Sequence, residues 1–598
     1  MVVRRSYIII ALTVLTGWLS LATAEKVKIT IDGNESFPSR KLRTVANLKL
    51  PDNKLDSDSL EQSIYRLRSF YRRNGFADTE VEYMIDSCSL PGTTEIKLVV
   101  TEGVRYYVDR IDFSGSRKIS AGVLSQAIAN KIRRPLNFED LGQDDFGLML
   151  LYADHGYIYA EVDHDLEFQN GHQAIITYQI KEGPQVGISR IALTGNVQVK
   201  EKYVLNTIRM SPGDVFSRSQ LIKSQYLLQA TDLFRVVAVS PGEIDSLANE
   251  IAVDIRLVEK PRRLFETSIG YGSGDAVRLM TKWAHRNLFG LGRRVEYNGL
   301  VSFQTKLPLK MTRGRSQISY SDPYFYLFNK PARGEVYYDD FRPSYTDYRL
   351  ETVGFNFTVS TPISNAFNID YRWKQEWLKL SPNWQLTKYT SDTLSYKGRR
   401  SLAVASSYEN LDDPVNPRKG LSSDLELEYT GGIMGGAETF QRAVNNWAYY
   451  FKAPAHRLSF AWRFRYGIIG DWSQRSTIPS YEMFFLGGPS SVRGYALSSI
   501  GPVDDKGRVT GGRIMMLINL QSVINLGKNW GLATFIDGGM LSNKTFEKQS
   551  LGDMVSSPGL GIRYVLPFGT GRVDFAAPGT LMGQIKYWRW MVAWGEPF

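Results

Sequence analysis

The sequence predicts an exported protein built in two parts: three α+β repeats of β-α-α-β-β order, followed by an all-β transmembrane barrel of antiparallel strands. Three observations predict it. An apolar leader precedes a chain that has no helical membrane span, the first part repeats itself about every 80 residues, and from about residue 262 the hydrophobic pattern switches to period two.

The leader comes first. Arg4 and Arg5 form a positive head, Ile8 to Leu19 supply an apolar run, and Ala22-Thr23-Ala24 offers small residues where a signal peptidase cuts. Residues 1–24 read as a secretory signal peptide, with an uncleaved anchor as the alternative. Beyond them no run of about 18 apolar residues occurs, so a closed barrel is the remaining way through a bilayer. Cys88 is the sole cysteine, so this exported chain must hold together by packing or by a hydrogen-bonded barrel. The formal charge of +11 suits anionic partners but does not separate membrane surfaces from nucleic acid.

The repeats occupy residues 25–103, 104–184 and 185–261. Each opens with a strand and a turn, "ITIDGNESF", "RIDFSGSRK" and "RIALTGNVQ", which place Gly33, Gly115 and Gly195 in equivalent positions. Each closes alike, with Glu102, Glu182 and Glu259 in "VVTEG", "QIKEGP" and "RLVEKP". In the first unit Leu60, Ile64, Leu67 and Tyr71 fall at helical spacing, Ser57 and Asp58 can cap the start, and Gly75 supplies a left-handed stop. That apolar stripe needs a sheet, which strands at about 27–32, 77–85 and 94–100 provide. The third copy, "LLQATDLFRVVAV", lacks the glycine of "FYRRNGFADTEV" and "LYADHGYIYAEV". Exported modules of this kind often bind an extended partner strand at a sheet edge.

Residues 262–598 alternate. Val353, Phe355, Phe357 and Val359 are interleaved with Thr352, Gly354, Asn356, Thr358 and Ser360, and "LSFAWRFRY" from Leu458 repeats the pattern. A soluble sandwich makes such strands too. The length of the pattern, the supply of Tyr, Trp and Phe for interfacial girdles, and the leader favour the membrane barrel. Roughly 335 residues suit about 12 to 18 strands, with sixteen as the working number. The chain stops at "WRWMVAWGEPF", and an aromatic at the end of the last strand, Phe598, suits closure against the first.

No cofactor is expected. "GYGSG" at 270–274 mimics a phosphate loop without a following helix, and the five histidines fit no zinc template. Catalysis is therefore not expected.

Five stretches carry a resemblance: "FFLGGPSSVRGY" (484–495), "TFIDGGML" (534–541), "LDDPVNPRKG" (411–420), "AHRNLFGLGRR" (284–294) and the terminal "WGEPF". In this order they resemble the BamA/TamA superfamily of outer-membrane assembly barrels, and the repeats resemble its polypeptide-transport-associated (POTRA) domains; three such domains is the count typical of the TamA type. The resemblance implies that Val492, Arg493, Gly494 and Tyr495 lie on an external loop folded into the lumen. There Arg493 would meet Asp537, with Phe535 and Gly539 completing the second motif. An arginine fork gripping a carboxylate in a confined lumen is screened less than on a surface. One departure stands out: the family usually has a glutamate ten residues after the first glycine of a "GG" pair, whereas Gly511-Gly512 leads to Gln521. Arg493 is then left with one anionic partner; Gln521 can still accept a hydrogen bond through its amide oxygen, so the loop is expected to stay docked, though less firmly.

A weak seam is the second expectation. Gly270, Gly272 and Gly274 fall in or beside the first barrel strand, and Gly595, Pro597 and Phe598 in the last; proline has no N–H to give a ladder. A seam that opens sideways exposes an edge to which an incoming strand can add by backbone bonds alone. The rival reading is that these glycines ease barrel curvature.

The resulting expectation is an outer-membrane assembly factor whose periplasmic domains receive unfolded barrel proteins or autotransporters and whose barrel inserts them. Its partners would be nascent outer-membrane proteins and outer-membrane lipids, with a periplasm-spanning TamB-like protein or assembly lipoproteins as candidate helpers, and no nucleic acid. A two-partner-secretion export pore and a passive outer-membrane channel are the alternatives.

Overall fold

The computed structural model describes residues 26–47, 57–90, 93–272, 276–304, 310–342, 348–382, 395–414, 416–453, 457–471, 478–505, 507–527, 529–543, 554–566, 569–580 and 588–594. Residues 1–24, read above as a signal peptide, lie outside them. Two compact units emerge: Met1–Gly195 with Val204–Ala230 and Phe234–Val258, and Asn196–Tyr203 with Thr231–Leu233 and Glu259–Phe598.

Residues 26–259 hold three copies of one small domain. The first runs β1 (Lys26–Asp32), α1 (Ser39–Ala46), α2 (Ser57–Arg72), β2 (Glu80–Leu90), β3 (Thr93–Thr101). The second runs β4 (Tyr107–Ser114), α3 (Ala121–Ala127), α4 (Leu141–Asp154), β5 (Glu161–Gln169), β6 (Gln173–Lys181). The third runs β7 (Gly187–Thr194), α5 (Glu201–Thr207), α6 (Arg218–Ala230), β8 (Phe234–Asp245), β9 (Glu250–Glu259). Each sheet has its last strand in the middle, parallel to its first, in the orders β1-β3-β2, β4-β6-β5 and β7-β9-β8. That central strand is the most apolar. Ile96, Leu98 and Val100 of β3 are buried beneath Leu60, Leu67 and Tyr71 of α2, so the helical stripe and the alternating strand close one core.

The repeated glycine and glutamate form one device. Gly33, Gly115 and Gly195 have φ of 78°, 85° and 85°, and an added Cβ would lie 2.2, 2.1 and 1.9 Å from the carbonyl oxygens of Val100, Ile180 and Leu257. Only glycine fits there. The glutamates at the repeat ends accept backbone N–H groups of the turn just after that glycine in the same repeat: Ser36 to Glu102 at 3.0 Å, Arg117 and Lys118 to Glu182 at 2.8 Å, Gln198 and Val199 to Glu259 at 2.9 and 2.8 Å. In the third copy Asp232, at φ 60°, takes the left-handed position that Gly75 and Gly156 fill in the others. A short polar side chain tolerates that conformation, which is how the copy manages without a glycine.

The barrel strands are β10 (Arg263–Gly272), β11 (Ala276–Leu288), β12 (Arg293–Phe303), β13 (Met311–Phe325), β14 (Lys330–Phe341), β15 (Tyr348–Pro362), β16 (Phe367–Pro382), β17 (Lys397–Leu411) and β18 (Gly420–Thr430). They continue through β19 (Phe440–Lys452), β20 (Leu458–Gly470), β21 (Ile514–Gly527), β22 (Trp530–Ser542), β23 (Val555–Leu566), β24 (Gly569–Ala576), the two-residue β25 (Gly579–Thr580) and β26 (Arg589–Trp594). Setting β25 aside, sixteen strands form one antiparallel wall in which β26 pairs with β24. Period two sets the faces. Along β22, Leu532, Thr534 and Ile536 point outward, whereas Ala533, Phe535 and Asp537 are buried. Outward apolar and inward polar residues are what a strand in lipid around a polar lumen requires. No described helix is long and apolar enough to cross a membrane.

β10 and β26 meet where the wall would close. Their Cα atoms approach within 8 Å, yet no ladder pairing joins them among the described residues. β26 has six residues against ten in β10.

Candidate functional site

Residues 471–513 join β20 to β21 at the barrel end opposite the one where β10 starts. Bridges Phe484–Gly512 and Leu486–Ile500 fold this connection into a narrow tongue. Its tip meets inward-facing side chains of β21 to β24. The ladder sets Asn519 opposite Asp537 and Gln521 opposite Phe535, so all four share the lumen face.

Arg493 has no exposed surface. Its backbone N–H and Nε donate to Asp537 Oδ2 at 3.0 and 2.7 Å, Nη2 donates to Oδ1 at 2.7 Å, and Nη1 donates to Gln521 Oε1 at 2.9 Å. The guanidinium carbon lies 3.4 Å from the Phe535 ring centroid. Both members of the ion pair are wholly buried, so the fork must offset the loss of two hydration shells. Gly494 adopts φ 92°, and a Cβ there would lie 2.4 Å from Ser557 Oγ. Val492 is buried in a cluster with Leu486, Ile500, Met515, Leu517 and Leu541, and its Cγ2 would sit 2.5 Å from a Cβ on Gly539. The Tyr495 hydroxyl donates to the Gly579 carbonyl at 2.7 Å.

Sequence reasoning left Arg493 with one anion, whereas the fold supplies a second. Asp574 Oδ2 lies 3.8 Å from Arg493 Nη1, and Arg563 and Arg572 donate to the same carboxylate at 2.7 and 2.8 Å. Gln521 Oε1 accepts from Arg563 Nη2 at 3.0 Å as well as from Arg493, so one amide oxygen bridges two guanidinium groups. The wall also grips the tongue's backbone. Arg572 donates to the Pro489 carbonyl at 2.7 Å, Arg463 to Ser490 at 2.8 Å and Asn519 to Ser491 at 2.8 Å. Arg463, Asn519, Arg563, Arg572 and Asp574 were missed by sequence reasoning. The signal was faint but present: charge at alternate positions, Arg572 and Asp574, in a strand otherwise short and small.

The near end of the tongue is anchored separately. Glu482 accepts from Arg399 of β17 and from Arg442 of β19 at 3.3 Å, Tyr481 donates to Glu438, and Arg399 is held by Glu376 at 2.6 Å. Arginines and carboxylates engaged in this way fix a loop in place; they supply position.

Of the seam residues, Gly270 stands opposite Arg278 and Gly272 opposite Ala276 within the β10–β11 ladder. Gly274, Gly595, Pro597 and Phe598 lie outside the described residues. In the repeats Asp145, Asp163 and His164 bring ligand-type atoms within 4.8 Å of one another, with His164 Nδ1 already 2.6 Å from Asp145 Oδ2.

Residues 287–596 match the Omp85 superfamily domain, and residues 27–103, 106–183 and 186–260 each match the POTRA family, described as a surface antigen variable number repeat. The chain is 24% identical over 547 residues to the outer membrane protein assembly factor BamA of Nitratidesulfovibrio vulgaris, covering 88% of this chain and 66% of that protein. It is 20% identical over 621 residues to the factor of the same name from Neisseria meningitidis serogroup B, covering 93% and 76%. It thus spans just under two thirds of the first relative and about three quarters of the second. Both are named as assembly factors. The crystal structure of BamA from Haemophilus ducreyi lacking POTRA domains 1–3 matches with a TM-score of 0.61 at 18% identity, over 82% of this chain and 100% of that one, which shows a shared fold.

Proposed function

The chain belongs to the Omp85 superfamily, as an outer-membrane barrel with periplasmic POTRA domains, and from that premise we propose that it inserts other proteins into the outer membrane. In this reading the POTRA domains, bounded at 25–103, 104–184 and 185–261, receive unfolded barrel proteins or autotransporters. The barrel then offers β10 at a seam that opens sideways, and an incoming strand adds to it by backbone hydrogen bonds, which any sequence can make. The periplasmic helper would be a TamB-like protein or assembly lipoproteins, and the surrounding lipid a direct participant. The docked tongue keeps the lumen filled, so that the route for clients is lateral.

The observation that carries this reading is the seam itself. Every other neighbouring pair of barrel strands shares a ladder, whereas β10 and β26 lie side by side without one among the described residues. The test replaces Cys88 with serine, places one cysteine in β10 near Gly270 and one in β26, and compares oxidised with reduced protein in cells. Insertion of clients should stop when the seam is locked and resume on reduction. Unimpaired insertion with the cross-link fully formed would refute a lateral route and favour the curvature reading of the glycines. An outer-membrane proteome after depletion then sets the scope: broad loss of barrel proteins means general assembly, loss of a few means a specialised TamA-like role.

A further inference from the structure

A cavity of about 260 Å³ opens inside the barrel at the end where β10 begins, bounded by the short turns after β17, β19 and β21. Among the described residues its cations are Arg418, Lys452, Arg457 and Arg563, Asn416 and Asn525 are among its walls, and none of the described lining residues is an acid. Two of the cations are matched from outside the cavity, Lys452 by Asp412 at 3.5 Å and Arg563 by Asp574 at 2.7 Å. Arg418 and Arg457 have no carboxylate partner among the described residues. The floor carries a more specific mark: Arg563 is 1% exposed, and its Nε is buried with no hydrogen-bond partner among the described residues. A buried guanidinium N–H without an acceptor is costly, and an oxyanion arriving in the cavity would satisfy it.

We propose that this cavity is a binding site for a terminal phosphate group, entered from the periplasmic mouth of the barrel. Two unmatched guanidinium groups together with the orphan N–H of Arg563 suit a group of charge about −1.5 to −2 better than a carboxylate of charge −1. The glutamine at 521, where the family usually has glutamate, fits the same reading. Gln521 lines the cavity, and a carboxylate at that position would repel the ligand. Its amide oxygen also joins Arg563 to Arg493, at 3.0 and 2.9 Å, so an occupant that draws on Arg563 is felt at the tongue through one side chain. The ligand is either free phosphate or the phosphomonoester headgroup of a lipid.

The test uses the full chain in detergent micelles and isothermal titration at constant ionic strength with three probes: inorganic phosphate, a water-soluble short-chain phosphatidic acid, and acetate. Saturable one-to-one phosphate binding is expected, at least tenfold weaker in the Arg418→Gln/Arg457→Gln double variant and also weakened by Gln521→Glu. Both variant chains should keep the heat-dependent gel shift of a folded barrel. Tighter binding of the phosphatidic acid than of phosphate assigns a lipid source, and the reverse a soluble one. The proposal is overturned if phosphate binding does not saturate, if folded double variant binds as tightly as wild type, or if acetate binds as well as phosphate.

Discussion

A guanidinium with no exposed surface has to hand its donors to acceptors within reach, and Arg493 hands them to Asp537 and Gln521. Removing one side of such a pair strands a buried charge, so Arg493→Ala should destabilise the barrel by about 3–5 kcal/mol, read as a lowered urea midpoint in micelles. Arg493→Lys restores the charge without the fork and should recover only part of the loss. Gln521→Glu places a carboxylate against Arg493 and Arg563 at once; slower proteolysis of the 471–513 tongue is expected, and an unchanged rate would show that the neutral amide already holds it fully. Arg493, Asp537, Phe535, Gly539 and Gln521 could be named beforehand only because short motifs announce them. Asp574, Arg563 and Arg572 could not, because polar contacts in a barrel join strands by register, and each of these three residues has a partner more than 40 positions away.

At the scale of the element, the repeat ends behave as small caps. The Glu182 carboxyl lies below the ordinary glutamate range: burial alone would raise it, but the backbone N–H groups of Lys118 and Arg117 and the Tyr152 hydroxyl outweigh that. The hydroxyl in turn is pushed up to about 12, first by burial and then by the neighbouring carboxylate. Since the folded value of Glu182 is the lower one, its stabilisation is complete above the unfolded value of about 4.3 and is lost as pH falls through the folded value. The denaturant midpoint of the second repeat should therefore drop between about pH 5 and pH 3 in wild type, and drop less in Glu182→Gln. An identical drop in both would remove the cap from the account. Helix α2 and its strands were legible from spacing, although β2 begins three residues later than expected, at Glu80. The glutamates were legible as a repeat but not as caps, because only the fold brings Glu182 to the turn 64 residues before it.

For the whole molecule, a barrel whose inner wall holds a tongue anchored at Glu482 and at Arg493 should conduct poorly. Reconstituted in planar bilayers the protein should show small flickering currents, and Arg493→Ala should enlarge them severalfold. A large steady pore in wild type would instead mark a passive channel. The order of parts, three α+β repeats and then a lipid-facing barrel, followed from sequence alone, because periodicity is a local property: 3.6 and 2 residues are written into neighbouring positions, and a polar lumen alternating with an apolar exterior leaves the same trace in every strand. What only the tertiary structure decided is which distant charges meet and where the wall fails to pair. Strand register brings Asp574 to Arg493 and leaves β10 and β26 without a ladder among the described residues, and register is fixed by sixteen strands pairing in series, a property that no single stretch of the chain carries.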